Sequence, residues 1–411
     1  MTIFETPVCV VGAGPAGSTA SLFLTKYGIP HILVDRETFP RDKVCGEQFS
    51  GRATHVLREI DPNLESEMVA KKILMRSWSL DFTFQPQNKA ITYRFDEDKS
   101  PILKAKRSEF DHYLFQKAKQ SPLATCLENV YLTTYENTES GVVIQDKNKT
   151  MQINAQIVLF CTGEKTPFFK KIFGEKYIDK GNELLFMRRY YRMSLSRKID
   201  TKSEFHLIQK PIIHLILHYE LSNGLIMIEI GTSKKYMKDS KMRIEDIFDY
   251  TIENIPRLKE LLFETEIVQK SKGTSMLLGT NPRLLSAERF LLAGSAMGSI
   301  NPITGFGVGH AMRSAQIAAY WAAKSVEAQN FSPSFLKQYD TQIKKRMKAD
   351  FRVGYFINWA FNNIKWLIPI LNVFIFTDVF AKVMIHFDMI TSPTNRSIYV
   401  KRLFTRFSNG K

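Results

Sequence analysis

The chain has 411 residues, of which 44% are hydrophobic and 24% charged, an ordinary composition for a globular protein large enough for two domains or one elaborate one. Its net charge of +16 is not ordinary, and suits an anionic membrane surface, a phosphorylated substrate or nucleic acid. Four scattered cysteines, Cys9, Cys45, Cys126 and Cys161, form no C-x-x-C pair, which excludes a disulfide framework, gives no zinc-ligand spacing and so no expected metal, and fits a reducing cytoplasm.

The first predicted element, Val8 to Val11, is a short β-branched run that reads as a buried parallel strand. Gly12-Ala-Gly14-Pro15-Ala16-Gly17 follows as G-x-G-x-x-G. There Gly12 permits a tight turn, Gly14 lets backbone approach a pyrophosphate, and Gly17 lets a helix pack close on the strand. Ala16 to Tyr27 has helical spacing and ends at Gly28; His31 to Val34 is the second strand, with Asp35 at its carboxyl end for a ribose hydroxyl pair. A dinucleotide site is therefore expected, with phosphates at the helix N-terminus. The opening Met-Thr-Ile-Phe-Glu runs directly into the first strand, so no signal peptide is expected.

Arg36 to Ala53 is a charged loop expected to line the cofactor, with Cys45 beside Lys43 and Arg41 as a thiol whose pKa those cations would lower; the alternative is a cysteine that only packs against a ring. Met75 to Tyr93 and Leu184 to Thr232 alternate and read as antiparallel strands, and Gln156 to Gly163 as another buried strand. Met187-Arg188-Arg189-Tyr190-Tyr191-Arg192 offers guanidiniums and phenols for a diphosphate, against a solvated strand edge as the bland reading. Phe290 to Ala293 is a short strand. Gly294-Ser295-Ala296-Met-Gly298 and Gly305-Phe306-Gly307 give a second ligand-approaching turn, feeding a helix from Val308 to Lys324, on which His310 is expected at the surface, the alternative being an approach to the bound cofactor.

Three of these stretches resemble one family. Pro40-Arg-Asp-Lys43-Val-Cys45-Gly46-Glu47 is similar to the P-x-x-K-x-C-G signature of geranylgeranyl-reductase-like flavoproteins, within the p-hydroxybenzoate-hydroxylase-fold group. Arg107-Ser-Glu-Phe110-Asp111-His-Tyr-Leu114 resembles its R-x-x-F-D-x-x-L helix, and Phe290 to Gly307 its second FAD motif. The resemblance implies an α/β (α+β overall) protein: a Rossmann-like FAD-binding domain over 1–74, 101–165 and 272–330, interrupted by an antiparallel substrate domain over 75–100 and 166–271. It implies FAD bound by Gly12, Gly14, Pro15, Ala16, Gly17, Asp35, Arg36, Lys43, Cys45, Gly46, Arg107, Gly294, Ser295, Gly305, Phe306 and Gly307, with NAD(P)H or another reductant as donor. Cys45 is the catalytic candidate; Arg188, Arg189 and Tyr190 are substrate candidates. Two departures stand out. The family's aspartate in G-D-A-A-G is Ser295 here, and its aromatic Y-x-W-x-F-P strand is replaced by Gly224-Leu-Ile-Met-Ile-Glu-Ile-Gly231, an aliphatic pocket. The W-x-W-x-I-P motif of flavin halogenases is not found.

The expected function is FAD-dependent reduction of carbon-carbon double bonds in an isoprenoid-like lipid. The alternatives are hydroxylation of a lipophilic aromatic or quinone precursor by an FAD monooxygenase, and a non-catalytic lipid binder. Residues 331–411 form a helical extension, with Lys344, Lys345, Arg346, Lys348 and Arg352 before the apolar run Trp366 to Phe376 and Lys401, Arg402 and Arg406 after it. That run is too short to cross a bilayer, and peripheral binding to the cytoplasmic membrane face is expected, with no nucleic-acid partner; the alternative is a helical cap that covers the substrate domain or forms a dimer.

Overall fold

The computed structural model describes residues 1–45, 47–84, 89–94, 101–164, 168, 183–194, 198–278, 284–301 and 305–347. Gly46 and most of the basic, apolar tail, 348–411, lie outside the described residues.

A parallel sheet carries the nucleotide-binding half. Its order is Ser286–Ala287, Phe290–Leu292, Met151–Phe160, Thr2–Val11, His31–Val34, Ala124–Leu127, with the hairpin Leu132–Asn137 and Val142–Asp146 attached to Met151–Phe160. Only the first strand and the hairpin run antiparallel. Val8, Cys9 and Val10 have no exposed surface, as a strand covered on both faces requires. Burial holds the Cys9 and Cys161 thiols up at about 12, so both are inert core residues. The strands at the sheet's centre, Thr2–Val11 and Met151–Phe160, begin several residues before the apolar runs in the sequence. They pair along their whole length, so hydrogen bonding extends them past the buried segment.

Helix Pro15–Lys26 packs on this sheet and against helix Val308–Ala328. Arg107–Lys119 covers the same domain. A three-stranded antiparallel sheet, Gln48–Phe49, Ile102–Lys104 and Met75–Ser77, leads to the second half. There a seven-stranded sheet runs in the order Glu266–Leu277, Glu183–Arg192, Leu225–Ser233, His214–Glu220, Ser203–Ile208, Ser79–Phe84, Lys89–Arg94. It is antiparallel except where Ser203–Ile208 meets Ser79–Phe84.

The two faces of this sheet differ. Ile216, Ile226, Ile228 and Ile230 form one core with Ile247, Phe248, Leu258 and Leu261 from helices Ile244–Asn254 and Pro256–Leu261. Tyr190, Leu217, Tyr219, Leu221, Leu225 and Met227 form a separate cluster. Period-two alternation along the strands produces this division. Polar bonds tie the two halves together: Lys104 Nζ donates to the carbonyls of Thr201 (2.8 Å) and Lys202 (2.6 Å), and Gln48 Nε2 donates to Ser203 Oγ (2.6 Å).

Candidate active site

The carboxyl ends of the parallel strands meet at one edge of the sheet, where open α/β sheets bind ligands. The Gly12 N–H donates to the Val34 carbonyl (2.7 Å), the Cys161 N–H to Val11 (2.8 Å) and the Ala293 N–H to Phe160 (3.0 Å). Gly12 has φ +98°, and a Cβ there would lie 2.6 Å from the Cys161 carbonyl oxygen, so only glycine fits the turn. The two glycine clusters do come together. A Cβ on Gly294 (φ +67°) would stand 3.0 Å from Ala16 Cβ and 3.4 Å from Ala311 Cβ, which puts the second turn against the start of the first helix. The Gly294 N–H is anchored by Ser314 Oγ at 2.9 Å. Ser295 lies in the 3-10 turn Gly294–Met297. Gly305, Phe306 and Gly307 close a loop on Asn301 and lead into helix Val308–Ala328. Phe306 packs against the Leu80 and Ile102 cluster, as Trp78 and Phe205 also do, an apolar junction between the two halves.

Asp35 is at the end of the second strand, where its Oδ2 accepts from the Ala13 N–H (2.6 Å) and its Oδ1 from the Glu37 N–H (2.9 Å). Arg36 faces outward and pairs with Glu37. Arg41, rather than Arg36, covers the glycine turn: its Nη2 is 3.1 Å from where a Gly14 Cβ would be, and 3.4 Å from Asp111 Oδ2. Arg107 is clamped by Asp111 through two bonds of 2.7 Å, the i,i+4 pair of the R-x-x-F-D helix. Burial opposes its charge, but Asp111 outweighs that and raises its pKa, with Cys45 contributing as a further bonding partner. Cys45 thus lies at the Arg107 guanidinium as well as near Lys43, the neighbour expected from the sequence. Lys43 is pushed below the usual lysine range by burial and then by Arg107.

The substrate candidates split. Strand Glu183–Arg192 is paired on both sides, so it is not an edge. Arg188 and Arg189 point to opposite faces of it, and their guanidiniums do not converge as a diphosphate clamp. Arg189 pairs with Asp249 (2.9 Å) and covers the Phe248 ring on the helical side. Arg188, 1% exposed, donates to Glu47 Oε1 (2.8 Å), Asp42 Oδ1 (2.8 Å) and the Lys43 carbonyl (3.2 Å). Lys272 also holds Asp42 (2.6 Å), and although burial works the other way, these two cations bring the Asp42 carboxyl down to about 2.

Glu47 is the centre of this cluster. Its side chain is fully buried. It accepts from Arg188, from the Arg107 N–H (2.9 Å) and from the Tyr190 hydroxyl. Burial raises its pKa to about 7, against the pull of Arg188, Tyr190 and Arg107. Glu229, opposite Arg188 in the strand register, is raised to about 8 by burial against Arg188. Lys104, over the Tyr219 ring at 5.0 Å, is lowered to about 7 by burial. Three buried titratable groups that burial brings toward neutrality make this join of two sheets the candidate functional site. In the sequence Glu47 stands out only as part of the loop signature, Glu229 falls inside a stretch that reads as an aliphatic pocket, and Lys104 carries no motif. Glu229 left a signal, a charge inside the apolar run Leu225 to Ile230. His310 is fully buried, not on the helix surface, because that turn of the helix packs against Ser50 to Ala53.

Comparison with known proteins decides the cofactor. Residues 5–187 match the FAD binding domain family. The chain is an FAD-dependent oxidoreductase, similar to the geranylgeranyl-reductase-like group. It is 24% identical over 367 residues to the digeranylgeranylglycerophospholipid reductase of Thermoplasma acidophilum, covering 86% of both chains. It is 23% identical to a 1H-pyrrole-2-carbonyl-[peptidyl-carrier protein] chlorinase of Pseudomonas fluorescens, covering 85% of this chain and 82% of that one. Among solved structures, a geranylgeranyl bacteriochlorophyll reductase-like protein of T. acidophilum superposes with a TM-score of 0.71 at 20% identity, over 86% of this chain and 87% of that one. A flavin-dependent brominase superposes with a TM-score of 0.72 at 16% identity, over 98% and 100%.

The described residues fit FAD. Above Gly14 the backbone is bare except for Arg41, as a pyrophosphate needs. Two buried hydroxyls, Thr162 Oγ1 just past strand Met151–Phe160 and Ser299 Oγ just past the turn Gly294–Met297, have no protein partner among the described residues and can bond a polar cofactor.

Proposed function

We propose that this oxidoreductase reduces carbon-carbon double bonds of an isoprenoid-type lipid, drawing electrons from NAD(P)H or another reductant. The observation that carries this reading is the buried Glu47 carboxyl, raised to about 7 and bonded to Tyr190 beside Cys45 and Arg107. Saturating an alkene needs a hydride and a proton. FAD supplies the hydride once it is bound and reduced. Glu47 then holds the proton. When its carboxyl is protonated, Oε2–H donates to the Tyr190 oxygen, and the phenol proton turns toward the apolar cluster of Leu217, Leu225 and Met227. Arg188 and the Arg107 N–H fix the carboxyl, so the proton moves along one line. Cys45, held at Arg107, borders the reacting carbon in this reading, and Phe306, Leu80 and Ile102 exclude water from an alkyl chain.

The names of the relatives support a lipid alkene, and the likeness to halogenating enzymes supports oxidation of an aromatic as the rival. One experiment separates them. Purified protein is reduced anaerobically and given digeranylgeranylglycerophospholipid, and the product is read by mass spectrometry. Addition of two hydrogens per turnover without oxygen is expected. A hydroxylated or halogenated product formed only in air overturns the proposal.

A further inference from the structure

On the helix-covered face of the seven-stranded sheet, away from Glu47, three ligand-type side chains converge. Glu204 and His206 are two apart on strand Ser203–Ile208 and share a face; His218 lies opposite Glu204 on strand His214–Glu220. His206 Nε2 and His218 Nε2 are 2.9 Å apart, and Glu204 Oε2 is 3.5 Å from His218 Nε2 and 3.9 Å from His206 Nε2. The imidazole rings stack at 5.0 Å with 13° between their planes. Both histidines are 2% exposed.

We infer that Glu204, His206 and His218 form a binding site for one divalent transition-metal ion of the zinc class. Donors about 2.0–2.1 Å from a tetrahedral ion are separated from one another by about 3.3 Å. The three separations bracket that edge, so an ion enters with shifts of roughly half an ångström. Two imidazoles and one carboxylate select zinc and its neighbours over magnesium or calcium. A fourth position stays open for water, as in sites with three protein ligands.

The surroundings agree with this assignment. Arg257, from helix Pro256–Leu261, holds Glu204 through three contacts, Nη2 to Oε1 at 2.6 Å and Nε to both oxygens at 3.1 and 3.2 Å. That fixes the carboxylate and leaves Oε2 toward the histidines, the role of an outer partner at a metal site. Arg257 and Lys104 add positive charge toward His218, and Asp81 offsets part of it. Asp81 lies opposite Glu204 in register, with Oδ1 buried and without a protein partner among the described residues. Burial favours the neutral form of both histidines, which is the form that ligates. The bound ion would pin two strands and helix Pro256–Leu261 together. It lies on the opposite face from the Glu47 cluster, so the site is structural and separate from the redox chemistry.

The full-length protein is stripped with a chelator, reloaded with Zn²⁺ alone, desalted, and assayed for metal by elemental analysis. One equivalent per chain is expected in the wild type. His218→Ala and His206→Ala should each lose it, and Glu204→Gln should bind at least tenfold more weakly in competition with a chromogenic chelator. FAD content, read by absorbance, serves as the folding control because the flavin cradle is in the other half. If a histidine variant fails to fold, the wild-type chelator competition together with Glu204→Gln decides. Less than a tenth of an equivalent on the wild type overturns the site. So does retention unchanged by the substitutions, which would place the ion elsewhere, as on the free thiols Cys45 and Cys126.

Discussion

Glu47 is held at φ +50°, a left-handed conformation that costs a non-glycine residue stability and recurs at functional sites. Its carboxyl is above the ordinary range because burial disfavours the charged form, so the protonated acid is the native-state species below about pH 7. If that acid is the proton source, turnover falls as pH rises through about 7. Glu47→Gln keeps the shape and a hydrogen-bonding head but cannot release a proton. We expect its kcat to drop by about 10²–10⁴-fold, the usual share of positioned acid catalysis, and the fall near pH 7 to disappear. FAD content should hold. A variant with wild-type kcat and an unchanged pH profile would remove Glu47 from the chemistry. Almost none of this could be read from the chain. Glu47 becomes unusual only through the burial that the fold imposes, with Arg188 brought to it from 141 residues away, and no local pattern reports either. Tyr190 was flagged for its chemistry as a phosphate ligand; its partner turned out to be a carboxyl.

The glycine turns are the opposite case. Their backbone conformations are dictated by local sequence, and so the strand-turn-helix units were legible at once. Their meeting was legible only by resemblance, and it depends on small residues where helices Pro15–Lys26 and Val308–Ala328 converge. Ala16 and Ala311 leave Gly294 just enough space. Ala311→Leu would push the added atoms onto the Gly294 backbone. Overpacking of this kind costs about 1–3 kcal/mol, here concentrated between two halves of one cradle. We expect roughly tenfold or greater weakening of FAD binding, measured by flavin fluorescence titration, with far-ultraviolet circular dichroism unchanged. Full flavin occupancy in the variant would mean that the two turns need not stay in register. Strand Glu183–Arg192 shows what periodicity leaves out. Alternation separates Arg188 from Arg189, but it cannot tell whether a strand has one neighbour or two. The bland reading of a solvated edge failed because Glu266–Leu277, more than 70 residues on, supplies the second neighbour.

Across the whole molecule, the positive charge and the redox site need a common explanation. Among the described residues, no helix is long and apolar enough to cross a membrane. Lys344, Lys345 and Arg346 lie at the end of the helix spanning 333–347, whose Tyr339 and Ile343 are anchored in the nucleotide-binding core. The chain continues from there into the apolar run 366–376, then Lys401, Arg402 and Arg406. Basic groups near an anionic bilayer contribute about 1 kcal/mol each, and apolar side chains add interfacial burial. We propose that the segment from 344 onward holds the enzyme on anionic membranes, where a lipid substrate is concentrated. Sedimentation with vesicles containing phosphatidylglycerol should recover most of the protein in the pellet at about 50 mM salt. Recovery should fall several-fold at about 500 mM, since the Debye length shrinks from roughly 14 Å to about 4 Å. A chain ending at residue 347 should stay in the supernatant at both salt concentrations while retaining its flavin. If the shortened chain pellets as well as the full one, the charge that binds lies on the folded half and the tail has another task; if neither pellets at low salt, the substrate must reach the enzyme without a membrane.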